Sequence, residues 1–108
     1  MKHILMVEDD ADTRSWFSLV LQKAFGEVKI IEAASIEQAE NRVDRQHFNL
    51  AIVDIYLPDG RGIDFIQRIK PARPGLFCVV VTAFDDSADI FAALKAGADG
   101  YLLKDMEP

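Results

Sequence analysis

The sequence predicts an α/β domain built on a doubly wound, five-stranded parallel sheet, and three observations lead there. Short apolar runs alternate with longer amphipathic stretches, strand then helix four times and then a strand, the order produced by parallel strands joined through right-handed helical crossovers. The strand candidates are near-continuous apolar runs, as expected of a sheet covered by helices on both faces. The chain has 108 residues, half of them hydrophobic, which suits one compact domain with an ordinary core and leaves no room for a second.

Each element has its own signal. Ile4 to Val7 reads as a buried strand. Thr13 to Phe25 carries Trp16, Phe17, Val20, Leu21 and Ala24 at helical spacing, and Gly26 follows as a stop. An acidic residue just ahead of this helix, Asp10 or Asp12, is its expected N-cap. Val28 to Ile31 is a second strand, β-branched at three of four positions. Ser35-Ile36-Glu37-Gln38 has the form of a capping box and opens a second helix that buries Ala39 and Val43. Leu50 to Val53 is the third strand, and the turn-rich Leu57 to Gly62 is a loop. A short third helix carries Phe65, Ile66 and Ile69 and ends at Pro71 and Pro74. Phe77 to Val81 is a fourth strand, Asp85 to Ala96 a fourth helix with Ile90, Phe91 and Leu94 apolar, and Gly100 to Leu103 a short fifth strand. A fifth helix would normally cover that strand; the sequence stops at Pro108, so this helix is expected to be missing or truncated.

Composition narrows the function. A net charge of −6 argues against direct nucleic-acid binding by this domain, so any DNA contact belongs to another domain. Met1-Lys2-His3 leads into only four apolar residues before Glu8, too few for a signal peptide, and no run approaches a membrane span. The cytoplasm is the default location. Cys78, the one cysteine, lies in an apolar run and is expected to be a small buried hydrophobe. His3 and His47 are far apart in the sequence and offer no metal or catalytic pairing. Gly60-Arg61-Gly62 is too short to cradle a phosphate.

The polar residues fall at strand ends. Glu8 and Asp9 follow strand one, Asp54 strand three, Thr82 strand four and Lys104 strand five. Ligands of open parallel sheets bind outside the carboxyl ends of the strands, where strand order reverses. With strand order 2-1-3-4-5, strands one and three are neighbours at about 4.8 Å, and Glu8, Asp9 and Asp54 share a crevice. Carboxylates that close repel one another unless one is protonated or a cation sits among them. An all-oxygen site with room for water suits Mg²⁺. Three carboxylates, one lysine and one divalent cation sum to zero charge, which prepares the site for a phosphoryl group. Taken singly, each residue has an ordinary structural explanation; it is their placement along one sheet edge that points to chemistry.

Four segments together resemble the response regulator receiver domain, across essentially the whole chain. Ile4-Leu5-Met6-Val7-Glu8-Asp9-Asp10 resembles the family's first strand and acidic pair, and Leu50-Ala51-Ile52-Val53-Asp54-Ile55-Tyr56-Leu57-Pro58-Asp59-Gly60 its phosphoacceptor strand. Val80-Val81-Thr82-Ala83 resembles the hydroxyl-bearing strand, and Gly97-Ala98-Asp99-Gly100-Tyr101-Leu102-Leu103-Lys104-Asp105 the switch strand with its lysine. The last stretch looks most like regulators with a LuxR-type helix-turn-helix output domain. The resemblance implies a flavodoxin-like (CheY-like) fold and a receiver over residues 1–108, the N-terminal part of a longer regulator with a C-terminal DNA-binding domain outside this chain. It implies Asp54 as phosphoacceptor from a sensor histidine kinase, with Thr82 and Lys104 binding the phosphoryl oxygens. Mg²⁺ would be held by Glu8, Asp9, Asp54 and the backbone carbonyl of Tyr56. Tyr101 would be the switch residue, with a readout face of helix four, strand five and the missing fifth helix; homodimerisation stays open because that face is incomplete.

The sequence also departs from the family pattern. Glu8 stands where Asp is more frequent, and its longer arm suits binding an ion through water. Tyr56 and Phe84, each two residues after a site residue, flank the expected route of hydrolytic water, so two aromatics should slow self-dephosphorylation. Asp105 replaces a frequent proline, so no cis peptide is expected after Lys104. Two other functions share part of this pattern. A haloacid-dehalogenase-like phosphatase also uses Asp, Thr, Lys and Mg²⁺, but there the nucleophile ends the first strand and a second acid stands two residues on, where this chain has Tyr56. The other is a receiver-like binding module that is never phosphorylated; all five site positions carry workable side chains, and failure to bind Mg²⁺ would favour it.

Overall fold

The computed structural model describes residues 2–83 and 87–104. Five parallel strands form the main sheet: β1 (Lys2–Val7), β2 (Val28–Ala33), β3 (Leu50–Asp54), β4 (Phe77–Thr82) and β5 (Gly100–Leu103). Their spatial order is β2-β1-β3-β4-β5, the doubly wound order expected. The helices are α1 (Ala11–Phe25), α2 (Ile36–Arg45), α3 (Gly62–Ile69) and α4 (Ser87–Lys95).

Register follows from the period-two alternation of strands. Leu5, Ala51 and Cys78 stand side by side, as do Val7, Val53 and Val80. These residues belong to the larger core, with Ala39 and Val43 of α2, Phe65, Ile66 and Ile69 of α3 and Ala93 of α4. The opposite face carries Ile4, Met6, Ile52 and Val81, packed with Phe17 and Leu21 of α1. Cys78 is fully buried, and burial pushes its thiol up to about 11, the state of an inert core residue.

Helix ends largely follow their sequence signals. Asp10 is the N-cap of α1: its Oδ2 accepts from Thr13 N at 2.8 Å and from Thr13 Oγ1 at 2.7 Å. That cap starts α1 at Ala11 rather than at the expected Thr13. Ser35 caps α2 by accepting from Gln38 N, but the return bond of a capping box goes elsewhere. Gln38 Oε1 accepts from Ala34 N, one residue before the cap. The amides of Ile36 and Glu37 donate instead to Asp59, 2.9 and 3.0 Å away, from the loop after β3. Those two backbone hydrogen bonds hold the Asp59 carboxyl below its ordinary range.

The structure departs from the sequence pattern at four points. Of the apolar stripe on α1, Phe17 and Leu21 are buried, whereas Trp16 and Val20 are 40% and 42% exposed. On α4 the side chain packed into the core is Ala93, flanked by Ala92 and Ala96, while Phe91 and Leu94 are exposed. The close approach of α4 to the sheet is made by alanines, which leaves the larger residues outward. The loop after β3 contains a small antiparallel hairpin, Tyr56–Leu57 with Gly60–Arg61, and Pro71 lies inside a 3₁₀ turn, Lys70–Ala72, that extends α3. The predicted start of α4 at Asp85, and the segment after Lys104 where a fifth helix would begin, lie outside the described residues.

Gly62 opens α3 hard against the site strand. A Cβ there would meet the Asp54 carbonyl oxygen at 2.0 Å and Val53 Cγ1 at 2.7 Å. The Gly62 amide also donates to Ile55 O at 2.7 Å, so the backbone has little room to retreat. Gly62→Ala is expected to cost about 1–3 kcal/mol or more of stability by overpacking. The control is Gly100→Ala, where an added Cβ meets nothing within 4 Å. Urea unfolding of the two variants checks this: equal midpoints would contradict it.

Candidate functional site

The register that builds the core also builds the site. Val7 pairs with Val53, so the next residue of each chain segment, Glu8 and Asp54, emerges at the same edge. Glu8 N donates to Ala33 O, which carries the ladder one residue past the end of β1. Lys104 N donates to Thr82 O at 2.7 Å and carries the β4–β5 ladder past its end in the same way. Thr82, the last residue of β4, is fully buried.

Glu8, Asp9 and Asp54 each offer a carboxylate oxygen, and these atoms lie within 4.8 Å of one another. Glu8 and Asp54 are buried, at 2% and 6% exposure, whereas Asp9 is exposed. Lys104 enters from the edge strand with a side chain 13% exposed; its Nζ donates to Asp54 Oδ2 at 2.7 Å and ion-pairs with Glu8 Oε1. Glu8 Oε2 accepts from Asp10 N at 3.1 Å. Glu8 Oε1 has Lys104 as its charge partner but no contact with hydrogen-bond geometry among the described residues. The other Asp54 oxygen, Oδ1, accepts from Tyr56 N at 3.2 Å, a local turn that fixes the carboxylate to its own loop.

Burial sets the protonation balance. It pushes the Glu8 carboxyl above its ordinary 4.5, and the Asp54 charge adds to the rise, although Lys104 and the Asp10 amide oppose it. For Lys104, burial disfavours the ammonium, but its bonds to Asp54 and Glu8 outweigh burial and hold its pKa above the ordinary 10.5. Three convergent carboxylates around one lysine, with an all-oxygen donor set, fit a hard divalent cation.

The structure therefore gathers Glu8, Asp9, Asp54 and Lys104 directly, with Thr82 beside Lys104 on the adjoining strand end. Tyr101 stands on β5 opposite Val80 and is 46% exposed. Phe84 and Asp105 lie outside the described residues. Sequence reasoning missed two residues. Gly62 abuts the Asp54 carbonyl. Asp89, in the first turn of α4, accepts from the Tyr56 hydroxyl and pairs with Arg61 at 2.6 Å. A glycine just after a loop is a faint signal; nothing in the sequence links Asp89 to Tyr56, 33 residues earlier.

A doubly wound domain with an acidic, lysine-bridged pocket at the carboxyl edge of its sheet is the class that fold and site define. The chain belongs to the response regulator receiver domain family, whose model matches residues 4–108 and whose function is phosphorylation-dependent signalling. It is 34% identical over 76 residues to the DNA-binding transcriptional activator DevR/DosR of Mycobacterium tuberculosis, covering 70% of this chain and 35% of that protein. It is 30% identical to the nitrate/nitrite response regulator NarL of Escherichia coli, covering 97% of this chain and 49% of NarL. The chain spans half or less of the length of these relatives. Among solved structures, a CheY-like receiver domain protein from Methanospirillum hungatei superposes with a TM-score of 0.88 at 30% identity, covering 100% of this chain and 85% of that one. A beryllofluoride-activated NtrC4 receiver domain dimer superposes with a TM-score of 0.88 at 28% identity, covering 99% and 87%. Among the described residues no helix is long and apolar enough to cross a membrane.

A raised Glu8 pKa means that the folded chain binds this proton more tightly than the unfolded chain. Ionised Glu8 therefore costs stability as pH rises from 4.5 through the raised value. Glu8→Gln removes that cost while Lys104 keeps Asp54 as a partner. In chelator at pH 7 the variant should show a higher urea midpoint than the parent, and the difference should close below pH 4.5. An equal or lower midpoint at pH 7 would refute this.

Proposed function

We propose that this domain is the phosphoacceptor switch of a longer two-component regulator, in which Asp54 takes a phosphoryl group from the phosphohistidine of a sensor histidine kinase. The observation that carries this reading is the convergence of Asp54, Glu8, Asp9 and Lys104 in one pocket at the carboxyl edge of the sheet. A nucleophile, a cation site and a mobile point charge stand together there, and phosphoryl transfer needs positioning and charge neutralisation above all.

An Asp54 carboxylate oxygen attacks phosphorus, the phosphorus–nitrogen bond to the donor histidine breaks, and an acyl phosphate forms on Asp54. Glu8, Asp9, Asp54 and the Tyr56 carbonyl would hold Mg²⁺. When bound, Mg²⁺ supplies charge neutralisation for the transferring group. Lys104, 2.7 Å from Asp54 Oδ2, pairs with a phosphoryl oxygen as a point charge. The Thr82 hydroxyl donates to another and draws the following loop toward the site. Tyr101 then turns inward, and the face formed by α4 and β5 shifts between two pre-existing states. Tyr56 and Phe84 shield the acyl phosphate from water. The domain is a signalling phosphoacceptor rather than a turnover enzyme, and works in the cytoplasm.

The DNA-binding relative DevR/DosR supports a DNA-binding output domain, of LuxR type by the resemblance of the final strand, with this receiver N-terminal to it. The dimeric receiver neighbour supports self-association of this domain. This domain itself has no role in binding DNA, since its charge of −6 repels phosphates.

Incubation with acetyl phosphate and Mg²⁺, followed by intact-mass spectrometry, tests the reading. One phosphoryl adduct is expected, lost in chelator and absent from Asp54→Asn. A folded protein that takes no adduct, or an Asp54→Asn variant that still does, would overturn it.

A further inference from the structure

Two residues of the loop after β3 reach across to α4 and meet on one carboxylate. The Tyr56 hydroxyl donates to Asp89 Oδ2. Arg61 Nη2 pairs with Asp89 Oδ1 at 2.6 Å, and its guanidinium lies over the Tyr56 ring, 5.7 Å from the centroid. The Asp89 side chain is only 13% exposed, so its two oxygens are held by neighbours rather than by bulk water alone. Tyr56 is also tied at its other end, since its amide donates to Asp54 Oδ1. The phenol ring therefore spans from the phosphoacceptor's own loop to the first turn of α4, clamped at the hydroxyl and stacked on one face. A half-exposed tyrosine without such ties would sample several rotamers.

We infer that Asp89 is a positioning residue: by gripping the Tyr56 hydroxyl, with Arg61 on the ring face, it holds the phenol across the mouth of the pocket and slows hydrolysis of the aspartyl phosphate. This rests on the reading of Asp54 as phosphoacceptor. In the hydrolysis a water oxygen forms a bond to phosphorus, the bond from phosphorus to the Asp54 oxygen breaks, and the dianionic acyl phosphate yields the Asp54 carboxylate and monoanionic dihydrogen phosphate. The water must approach in line with the bond that breaks. Tyr56 starts next to that approach, since its amide donates to Asp54 Oδ1, so a ring held at its hydroxyl stays beside the phosphoryl group and a released ring leaves it for part of the time. In this inference Asp89 acts through Tyr56.

The experiment is a double-mutant cycle on the decay rate of the phosphorylated domain. The parent, Tyr56→Phe, Asp89→Asn and the double variant are each loaded with acetyl phosphate and Mg²⁺ and freed of donor, and the adduct is followed by intact mass. Loss of one hydrogen bond should speed decay by about threefold to tenfold in each single variant. The double variant should decay no faster than the faster single, because both changes release the same ring. Asp89→Glu, which keeps a carboxylate acceptor, should restore at least part of the slow decay. Unchanged decay in Asp89→Asn, or the same acceleration by Asp89→Asn in the Tyr56→Phe background as in the parent, would overturn the inference and leave Asp54 as phosphoacceptor intact. Absence of any adduct on the parent would overturn both. A melting temperature shared by parent and variants confirms that the change is local; where Asp89→Asn fails to fold, Arg61→Gln provides the second arm and should speed decay in the same Tyr56-dependent way.

Discussion

A single ammonium group balances the functional edge of this molecule. Glu8 and Asp54 are both buried and close together, with Asp9 beside them, and like charges at such range resist being ionised at once. Lys104 lies between two of them and pairs with both. The compensation is partial, because Glu8 remains harder to ionise than in water while Lys104 is harder to deprotonate. Burial is the main cause of the first departure, and the bonds to Asp54 and Glu8 are the cause of the second. Three convergent carboxylates against one ammonium leave the cluster net negative when all are ionised, a setting that favours a further cation.

The sheet makes that arrangement unavoidable once it has formed. Asp54 and Lys104 are 50 residues apart, and only the β3–β4 and β4–β5 ladders bring their strand ends together. The segment just after Asp54 is then fastened on two sides. Asp59 caps α2 through two backbone amides, and Tyr56 and Arg61 hold Asp89 on α4. Gly62 allows α3 to begin in contact with the Asp54 carbonyl. Asp54 thus ends β3 at the head of a short, heavily tied loop, the kind of support that keeps a side chain in place.

The attachment of α4 is of a different kind. Its contact with the core is made by Ala93 with Ala92 and Ala96, while Phe91 and Leu94 face outward. Alanine buries little apolar area, so this helix gains less from packing than α3, which buries Phe65, Ile66 and Ile69. An element with few buried contacts is held to a larger degree by its polar ties and is easier to shift. On β5, Tyr101, Leu102 and Leu103 are each nearly half exposed, so lightly held structure and outward apolar side chains occur together on this side of the sheet.

Much of this was legible in the sequence. The order of apolar runs and amphipathic stretches determined the sheet and its winding, because right-handed crossovers permit few alternatives. Residues at strand ends determined the pocket, because parallel strands deliver their carboxyl ends to one edge: Glu8, Asp9, Asp54, Thr82 and Lys104 were all identifiable that way. Only the tertiary structure decided which face of each helix is buried, because Trp16, Val20, Phe91 and Leu94 are as apolar as the residues that do pack. It alone revealed that Asp59 caps α2, that Gly62 meets the Asp54 carbonyl and that Asp89 holds Tyr56. The contacts of Asp59 and Asp89 join residues more than twenty positions apart and leave no periodic or local trace, and that of Gly62 leaves only a faint one. They depend on how closely the elements approach once the core has closed, a distance set by side-chain volume and not by pattern.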